Sequence, residues 1–465
     1  MGLMSISLCG LVLLTFFGLA ASQNIVTNLP GFEGDLPFKL ETGYVGVGES
    51  NEIQLFYYFV ESQRSPTDDP LMLWQSGGPG CTSQTGLFYE NGPLAFKLAD
   101  YNGSLPSLHL NPYAWTQRLN ILYVDVPAGS GFSYSTTQEG YYVDELKSAA
   151  HSAQFIRKWL IDHPQYLTNA LYIAGDSFTG MVLPIIVQNI HKYNEAGLEP
   201  YLNLRGYLLG NPVTDYTIDG NAVIPFAHRM TLISDELYKS AEESCNGDFV
   251  NVNQKNTKCV ADIAAIDELL LNIYTKQILE PICQPASPRP GGNQKRSLQQ
   301  YYENILPSQP SSHSSWCRDL DYKMMEIWAN DKSVRKVLNV REGTTGVFVR
   351  CNRSKANEYN VPSTVEYHRN LSNTILRALV YSGDHDMTIP HIGTQNWIRS
   401  LNLNASEIWR AWYVDGQVAG YTEKFTNQNF NLVFATVKGG GHDAPTYKRK
   451  ECYAMIDRWF ADRPL

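Results

Sequence analysis

The sequence has few charged residues and no surplus of basic ones. Only 18% of its 465 residues are charged, and 37 Lys and Arg stand against 46 Asp and Glu, for a net charge of −9. So little charge combined with 43% hydrophobic residues is not typical of a disordered protein. Nucleic-acid binding is also disfavoured, because phosphate recognition needs clustered Lys and Arg. We therefore expect a folded protein that has no nucleic-acid partner.

Metal-binding spacings, internal repeats and long apolar runs are missing as well. No C-x-x-C or H-E-x-x-H spacing occurs, so the sequence predicts no metal and no cofactor. Beyond residue 22, no apolar run approaches the roughly 18 residues that a membrane helix needs. We therefore expect no membrane partner for the mature chain.

Residues 1–22 have the pattern of a secretory signal peptide. The apolar run 8–21 is short for a membrane span, and it ends in the small residues Ala20, Ala21 and Ser22. A buried first helix of the fold is the alternative interpretation. The pattern favours entry into the secretory pathway.

Cysteines and N-glycosylation triplets agree with that route. Removal of Cys9 with the signal leaves an odd number of cysteines, so at least one thiol stays unpaired. Spacing does not determine the pairing, although two close pairs would each close a local loop. These pairs are Cys245 with Cys259 and Cys283 with Cys317, and the other cysteines are Cys81, Cys351 and Cys452. The predicted glycosylation sites are Asn102, Asn352, Asn370 and Asn404.

Apolar runs that alternate with helical patterns predict an α/β fold with a mainly parallel sheet. A hairpin is expected around the turn at 48–51, and residues 143–162 have helical spacing. The runs typical of buried strands are 71–74, 121–124, 171–174, 204–209 and 378–381.

The alternation stops between residues 211 and 340. Helical patterns at 234–243 and 261–274 are not separated by clear strands, which indicates a helical insertion, or cap. The insertion would divide a catalytic core into a first part, 23–210, and a second part, 341–465. Within it, the segment 284–297 is rich in Pro and Gly and predicts an exposed linker that proteases cut or excise.

The strongest local signal for chemistry is Gly175-Asp176-Ser177-Phe178-Thr179-Gly180. A strand, a Ser at a sharp turn and a helix expected from residue 181 form the pattern of a nucleophile elbow. Thr179 stands where the usual motif has Gly. A Ser that merely caps the helix is the alternative interpretation of this segment alone.

Partners for a catalytic serine follow in the order Ser, acid, His. Asp384 and Asp386 end a predicted strand, and the residues alone do not choose between them. His442 lies on a Gly-rich loop, where its ring can bridge a serine hydroxyl and a carboxylate. An oxyanion hole would combine the amide of Phe178 with one from the glycine-dense loop 74–81.

Together these and other segments resemble the serine carboxypeptidase family over nearly the whole mature chain. The resemblance implies an α/β-hydrolase fold in which Ser177 is the nucleophile, Asp386 the acid and His442 the base. It further implies an oxyanion hole from the amides of Gly78 and Phe178. The similarity to plant members implies the disulfides Cys81–Cys351, Cys245–Cys259 and Cys283–Cys317, which leaves Cys452 free. The segments that carry the resemblance are 76–81, 88–93, 125–134, 175–177, 210–212, 383–386 and 441–442.

Two positions depart from the peptidases of that family. Those peptidases usually carry Asn before the Gly-Gly pair and Glu before the nucleophile, where this chain has Ser76 and Asp176. With the residue that matches Glu90, those groups bind the C-terminal carboxylate of a peptide. A misplaced buried polar contact costs about 1–3 kcal/mol, so the shorter side chains should weaken that binding.

Gly-Asp-Ser at the elbow is similar to the plant acyltransferase branch of the family. The resemblance implies transfer of an acyl group from a 1-O-acyl glucose donor, through Ser177, to a small alcohol or amine acceptor. A working serine carboxypeptidase and a catalytically inert binding or scaffold homologue are the alternatives. We expect a vacuolar or extracellular protein, either a monomer or a processed form of two disulfide-linked chains.

Overall fold

The computed structural model describes residues 24–98, 101–283, 317–352 and 357–465. The predicted signal peptide 1–22 and the linker 284–297 lie outside these residues.

The strands are β1 (Asn24–Val26), β2 (Leu40–Val47), β3 (Ile53–Val60), β4 (Leu71–Gln75), β5 (Leu94–Phe96), β6 (Leu108–Leu110), β7 (Asn120–Val124), β8 (Tyr134–Ser135), β9 (Val143–Asp144), β10 (Leu171–Asp176), β11 (Leu204–Gly210), β12 (Asn357–Glu358), β13 (Arg377–Gly383), β14 (Asn404–Val414), β15 (Gln417–Asn427) and β16 (Phe430–Val437). The α-helices are α1 (Glu145–Asp162), α2 (Leu183–Glu195), α3 (Tyr216–Asn221), α4 (Val223–Arg229), α5 (Asp235–Cys245), α6 (Thr257–Leu270), α7 (Arg318–Asn330), α8 (Lys332–Val337), α9 (Val365–Leu371), α10 (His391–Ser400), α11 (Ala444–Tyr447) and α12 (Arg449–Phe460).

A sheet of 12 strands organises the fold. Its order is β1-β2-β3-β7-β4-β10-β11-β13-β16-β15-β14, and β8 pairs with β3. The central strands β7, β4, β10, β11, β13 and β16 run parallel, whereas the strands at both edges pair antiparallel. The predicted α/β class is therefore confirmed, as is the hairpin of β2 and β3.

Helices cover both faces of the parallel strands, which is why those strands are apolar throughout. Along β4, Leu71 and Leu73 pack into one hydrophobic core with α1, α2, α9 and α10. The alternate residues Met72 and Trp74 pack into a second core with α7 and α12. Period-two alternation along one strand thus supplies both layers.

Helices α4 to α6 have a smaller hydrophobic core of their own. It contains Phe226, Ala241 and Ile266 and reaches the rest of the protein through Met387 and Ile392. Between β11 and β13, the described residues add no strand to the large sheet. This agrees with an insertion in that part of the chain, while the proposed domain limits remain a prediction.

The caps of the insertion helices correct one predicted boundary. The sequence pattern suggests a helix over 261–274, but α6 spans Thr257–Leu270. The Asn256 side chain accepts a hydrogen bond from the Cys259 amide and starts the helix earlier. Ser234 caps α5 in the same way by accepting from Leu237.

Disulfides occur at Cys81–Cys351, Cys245–Cys259 and Cys283–Cys317, so the predicted pairing is confirmed. Cys452 is a free, buried thiol.

Among the predicted glycosylation sites, Asn102, Asn370 and Asn404 are exposed. Asn352 is half-buried, and its Nδ2 donates to the Gly129 carbonyl at 3.0 Å. Within the described ranges, no helix has both the length and the apolar character required to cross a membrane.

Candidate active site

Ser177 lies at the sharp turn that follows β10. Its φ is 58°, in the left-handed region that a side chain rarely adopts. A 3₁₀ turn over Ser177–Met181 follows, so α2 begins at Leu183 rather than at the predicted residue 181. The turn raises the serine hydroxyl above the carboxyl edge of the sheet, as an elbow requires.

Thr179 fits the elbow because Gly175, which lies against it, has no side chain. The Thr179 Oγ1 donates a hydrogen bond to the Asp176 carbonyl oxygen at 2.8 Å. A Cβ on Gly175 would lie 2.5 Å from that hydroxyl oxygen and from the Gln75 carbonyl oxygen. The β-branched residue is therefore accommodated by Gly175, with no change in the turn itself.

Ser177, His442 and Asp386 form one hydrogen-bonded line. The Ser177 Oγ lies 2.7 Å from His442 Nε2, and His442 Nδ1 lies 2.8 Å from Asp386 Oδ2. With the imidazole proton on Nδ1, the ring donates to Asp386 and accepts from Ser177. This arrangement can deprotonate the serine hydroxyl.

Asp386 is held by several donors besides His442. Asn211 Nδ2 donates to its Oδ2 at 2.8 Å, and the amides of Thr388 and Ile389 donate to its Oδ1 at 2.8 and 3.2 Å. Asp384 instead accepts from the Gly439 amide at 2.6 Å. The geometry therefore separates two acids that the sequence leaves equivalent.

The charge of Asp386 changes the basicity of His442. Burial would lower the pKa of His442, but the adjacent Asp386 carboxylate and its hydrogen bond raise that pKa above the ordinary value. A raised pKa suits a group that accepts the serine proton and returns it to a leaving group.

The Gly-rich loop after β4 packs directly against the elbow. A Cβ on Gly77 would lie 2.6 Å from Ser177 Cβ and 2.7 Å from the Phe178 amide nitrogen. Gly78 has φ +121°, a conformation available mainly to glycine. The loop backbone thus lies beside the Phe178 amide, where an oxyanion hole is expected.

Carboxyl groups crowd the site near Ser177. Asp176 is buried, its Oδ1 accepts from the Gly77 amide at 3.2 Å, and burial together with Asp443 raises the pKa of Asp176 to about 7. Glu90 is 1% exposed, and neither of its carboxyl oxygens has a hydrogen-bond partner among the described residues. Burial, with Asp176 and Asp443 nearby, raises the pKa of Glu90 well above its usual range. Ser76 Oγ has a long contact of 3.4 Å with the Trp74 indole nitrogen.

The structure adds residues that sequence reasoning missed. Asp443 is 3% exposed, and its Oδ2 accepts from the Tyr322 hydroxyl at 2.9 Å. Arg350 lies 3.7 Å from the same oxygen, and the backbone carbonyl of Lys276 accepts from the His442 amide at 2.7 Å. The one available signal was local: an acid directly follows the candidate base, as another directly precedes the candidate nucleophile.

A small apolar cleft opens on the other side of the elbow. Phe178 and Tyr359 meet there edge to face, with ring centroids 6.0 Å apart. Glu145 lines the cleft, and its Oε2 accepts from the Asn360 amide at 2.9 Å. Its Oε1 has no hydrogen-bond partner within the described part of the chain. No group of three or more metal-binding side chains occurs in that part either.

Comparison with known proteins gives a consistent result. A family model described as "Serine carboxypeptidase" matches residues 30–462. "Serine carboxypeptidase-like 2" of Arabidopsis thaliana is 44% identical over 444 residues, which cover 96% of this chain and 94% of that protein. "Serine carboxypeptidase-like 17" of the same plant is 45% identical over 454 residues, 98% of this chain and 97% of that protein.

A solved structure supports the fold. The yeast (Saccharomyces cerevisiae) prohormone-processing carboxypeptidase Kex1Δp superposes with a TM-score of 0.69 over 91% of this chain and 92% of that one, at 18% sequence identity. At this identity the likeness concerns the fold, and the α/β-hydrolase architecture expected from the sequence is confirmed.

Proposed function

This chain belongs to the serine carboxypeptidase family, and we propose that it is an acyltransferase. In this proposal the donor is a 1-O-acyl glucose ester, the intermediate is an acyl group on Ser177, and the acceptor is a small alcohol or amine. Glucose leaves in the first step, and the acylated acceptor leaves in the second.

The observation that carries the proposal is how the Ser76 and Asp176 side chains are hydrogen-bonded. Peptidases of the family usually hold a substrate carboxylate with Asn and Glu at these positions. Here the Asp176 carboxyl accepts from the Gly77 amide, and the Ser76 hydroxyl has the Trp74 indole N–H as its hydrogen-bond partner among the described residues. Both side chains are short and directed to the protein itself, which supports a site that does not clamp a peptide terminus.

The first half-reaction uses the line of hydrogen bonds at Ser177. His442 takes the proton from Oγ as Oγ attacks the ester carbonyl, and Asp386 stabilises the imidazolium that forms. The developing oxyanion is stabilised by the amides of Gly78 and Phe178. His442 then protonates the anomeric oxygen, so that glucose departs and the acyl-enzyme remains.

In the second half-reaction the acceptor replaces glucose. His442 removes the proton of its hydroxyl or amine as it attacks the acyl carbonyl, and the collapse of the tetrahedral intermediate releases Ser177. A bound acceptor outcompetes water only if it is held at high effective concentration. We place the acyl group in the cleft beside Phe178 and Tyr359 and the leaving group beside Glu90.

Purified protein incubated with acyl glucoses, with and without acceptors, tests the proposal. We expect glucose release that acceptors accelerate, with transfer of the acyl group, and negligible hydrolysis of N-blocked dipeptides. Steady release of C-terminal amino acids, without acyl transfer, would instead establish a serine carboxypeptidase. An inert homologue would give neither reaction and no fluorophosphonate labelling dependent on Ser177 and His442.

A pair of substitutions tests the carrying observation directly. Ser76→Asn together with Asp176→Glu should raise dipeptide hydrolysis above the wild-type level, because it restores the side chains that peptidases of the family use. Each single variant serves as the matched control and should gain less. A correctly folded double variant with no gain would contradict this interpretation of the two positions.

We also propose that the protein follows the secretory pathway to the vacuole or the cell exterior. Its three disulfides and the exposed Asn102, Asn370 and Asn404 support that route. Excision within 284–297 would leave two chains joined by Cys283–Cys317. Glycosidase digestion and reducing gels of protein from its native source test both statements, and a single unglycosylated chain contradicts them.

A further inference from the structure

Two cations approach the reaction centre from outside the triad. The Arg350 side chain is 15% exposed, and its guanidinium lies 3.7 Å from the centroid of the Tyr322 ring. Its Nε has no hydrogen-bond partner among the described residues. Lys276 lies in the segment that contacts the His442 backbone. Cations in this position are what a site for a carboxylate substrate would require.

A carboxylate of the protein already faces Arg350. Asp443 Oδ2 receives the Tyr322 hydroxyl at 2.9 Å and faces Arg350 at 3.7 Å. Burial would raise the pKa of Asp443, but the charges of Lys276, His442 and Arg350 hold that pKa well below its usual range. Asp443 therefore stays ionised beside Arg350.

The two remaining carboxyls are weaker partners for the cations, because burial raises their pKa values. Glu90 and Asp176 face the same region, and Lys276 and Arg350 also attract Glu90. The pKa of Glu90 is nonetheless raised well above its usual range by burial and by the two aspartates. Asp443 is therefore the carboxyl of this cluster whose charge is fully developed, and its place beside Arg350 is the one that an additional carboxylate would have to take.

We propose that Asp443 is a specificity-determining residue that occupies the Arg350 guanidinium and so excludes donors and acceptors that carry a carboxylate near the reacting carbonyl. The site is built for uncharged groups such as the hydroxyls of a sugar or an alcohol. This deepens the proposed acyltransferase function and rests on it for its biological meaning.

The test uses Ser177 labelling by a fluorophosphonate, which requires no acyl glucose. Two competitors of the same shape, 3-phenylpropanoate and 3-phenylpropanamide, are compared for protection of the serine. For the wild type we expect the carboxylate to protect no better than the amide. In Asp443→Asn, which keeps the side-chain shape, protection by the carboxylate should improve about tenfold or more, because Arg350 loses its ionised partner. Protection by the amide should hardly change.

Three variants separate charge from structure. Asp443→Asn combined with Arg350→Gln should lose the gain, since the cation is gone. Tyr322→Phe removes the hydroxyl that contacts Asp443 but leaves the charge, so it should not create a preference for the carboxylate. Asp267→Asn removes the same charge from an exposed position on α6 and should behave as the wild type.

Two results would overturn the proposal. One is a wild type that already binds the carboxylate better than the amide. The other is an Asp443→Asn variant that labels normally but gains no preference. If Asp443→Asn does not fold, Asp443→Thr provides the same comparison. Failure of acyl transfer with an intact labelling result would refute the proposed function while leaving the role of Asp443 supported.

Discussion

The two sides of Ser177 differ in how completely their polar groups are satisfied. On the base side, each oxygen of Asp386 accepts hydrogen bonds, and both ring nitrogens of His442 have a partner. On the carboxyl side, Glu90 is buried and both its oxygens lack a hydrogen-bond partner in the part of the chain that the structure describes, and Asp176 and Asp443 lie close enough to perturb each other.

This difference separates the residues that carry out the reaction from those that recognise the substrate. A satisfied network is rigid and positions the reacting atoms without a substrate. An unsatisfied buried group costs free energy in the empty protein and recovers it when a ligand supplies the missing hydrogen bond. We therefore expect substitutions on the base side to slow every substrate equally, and those on the carboxyl side to change which substrate is used.

The largest effect is expected for Ser177→Ala. Loss of the nucleophile should reduce kcat for glucose release on the order of 10⁶-fold, because no acyl-enzyme can form. Steady-state kinetics measure the loss, and thermal unfolding checks that the variant is folded. Turnover close to the wild type would mean that the nucleophile lies elsewhere.

Asp386→Asn should follow, with a loss of about 10³- to 10⁴-fold in kcat. The amide cannot stabilise the imidazolium and favours the wrong tautomer of His442. Asp384→Asn is the matched control, since Asp384 contacts the Gly439 amide rather than His442, and its loss should stay below about tenfold. Equal losses in the two variants would remove the distinction between these acids.

Glu90→Gln tests the opposite side. The amide preserves the shape and one carbonyl oxygen but replaces the other carboxyl oxygen by an NH2 group, which cannot accept a hydrogen bond. Binding of a sugar hydroxyl that donates to that oxygen should therefore weaken by about 1–3 kcal/mol. We expect a KM for the acyl glucose raised about tenfold, with the rate of fluorophosphonate labelling unchanged. A labelling rate that falls while KM rises would place Glu90 in the base-side network instead.

The smallest effect concerns pH. His442 must be neutral to accept a proton, and its pKa is raised by Asp386, so kcat/KM should fall as pH decreases through a midpoint above 6.5. Burial and Asp443 raise the pKa of Asp176 to about 7, so titration of Asp176 would produce a similar fall of kcat/KM at low pH. Asp176→Asn should therefore retain the fall of kcat/KM at low pH. If that fall disappears in this variant, the group that titrates is Asp176 rather than His442.

The elements that the sequence predicts well are those whose signals are local. The runs that became β4, β7 and β10 are apolar because both faces of the sheet are covered. The elbow at Ser177 is encoded within six residues, and the order of Ser177, Asp386 and His442 needs no knowledge of distances. The choice between Asp384 and Asp386 was different, because it depends on which carboxylate meets a loop that begins after β16.

The antiparallel strands β14 and β15 were missed although a local signal exists. Asp415 and Gly416 separate them, both with positive φ, 48° and 73°. Asp-Gly between two strands is a strong hairpin pattern. Much of β14 is exposed, however, so it lacks the apolar run that marks the central strands.

The cluster around Asp443 had no such signal. Lys276, Tyr322 and Arg350 come from separate parts of the chain and meet only because the insertion and α7 pack over the carboxyl edge of the sheet. Composition and spacing do not encode which distant charges neutralise each other. That information lies in the tertiary packing alone.

The disulfide Cys81–Cys351 has a practical consequence for anyone who produces this protein. Cys81 ends the glycine loop beside the oxyanion site, Cys351 follows Arg350, and the two are 270 residues apart in sequence. Closing so long a loop is worth on the order of 5 kcal/mol. In the reducing cytosol of a bacterial host, we expect the sheet to assemble while this loop stays untethered. Catalytic titre rather than soluble yield is therefore the measure of correct production, and an oxidising host compartment is the appropriate choice.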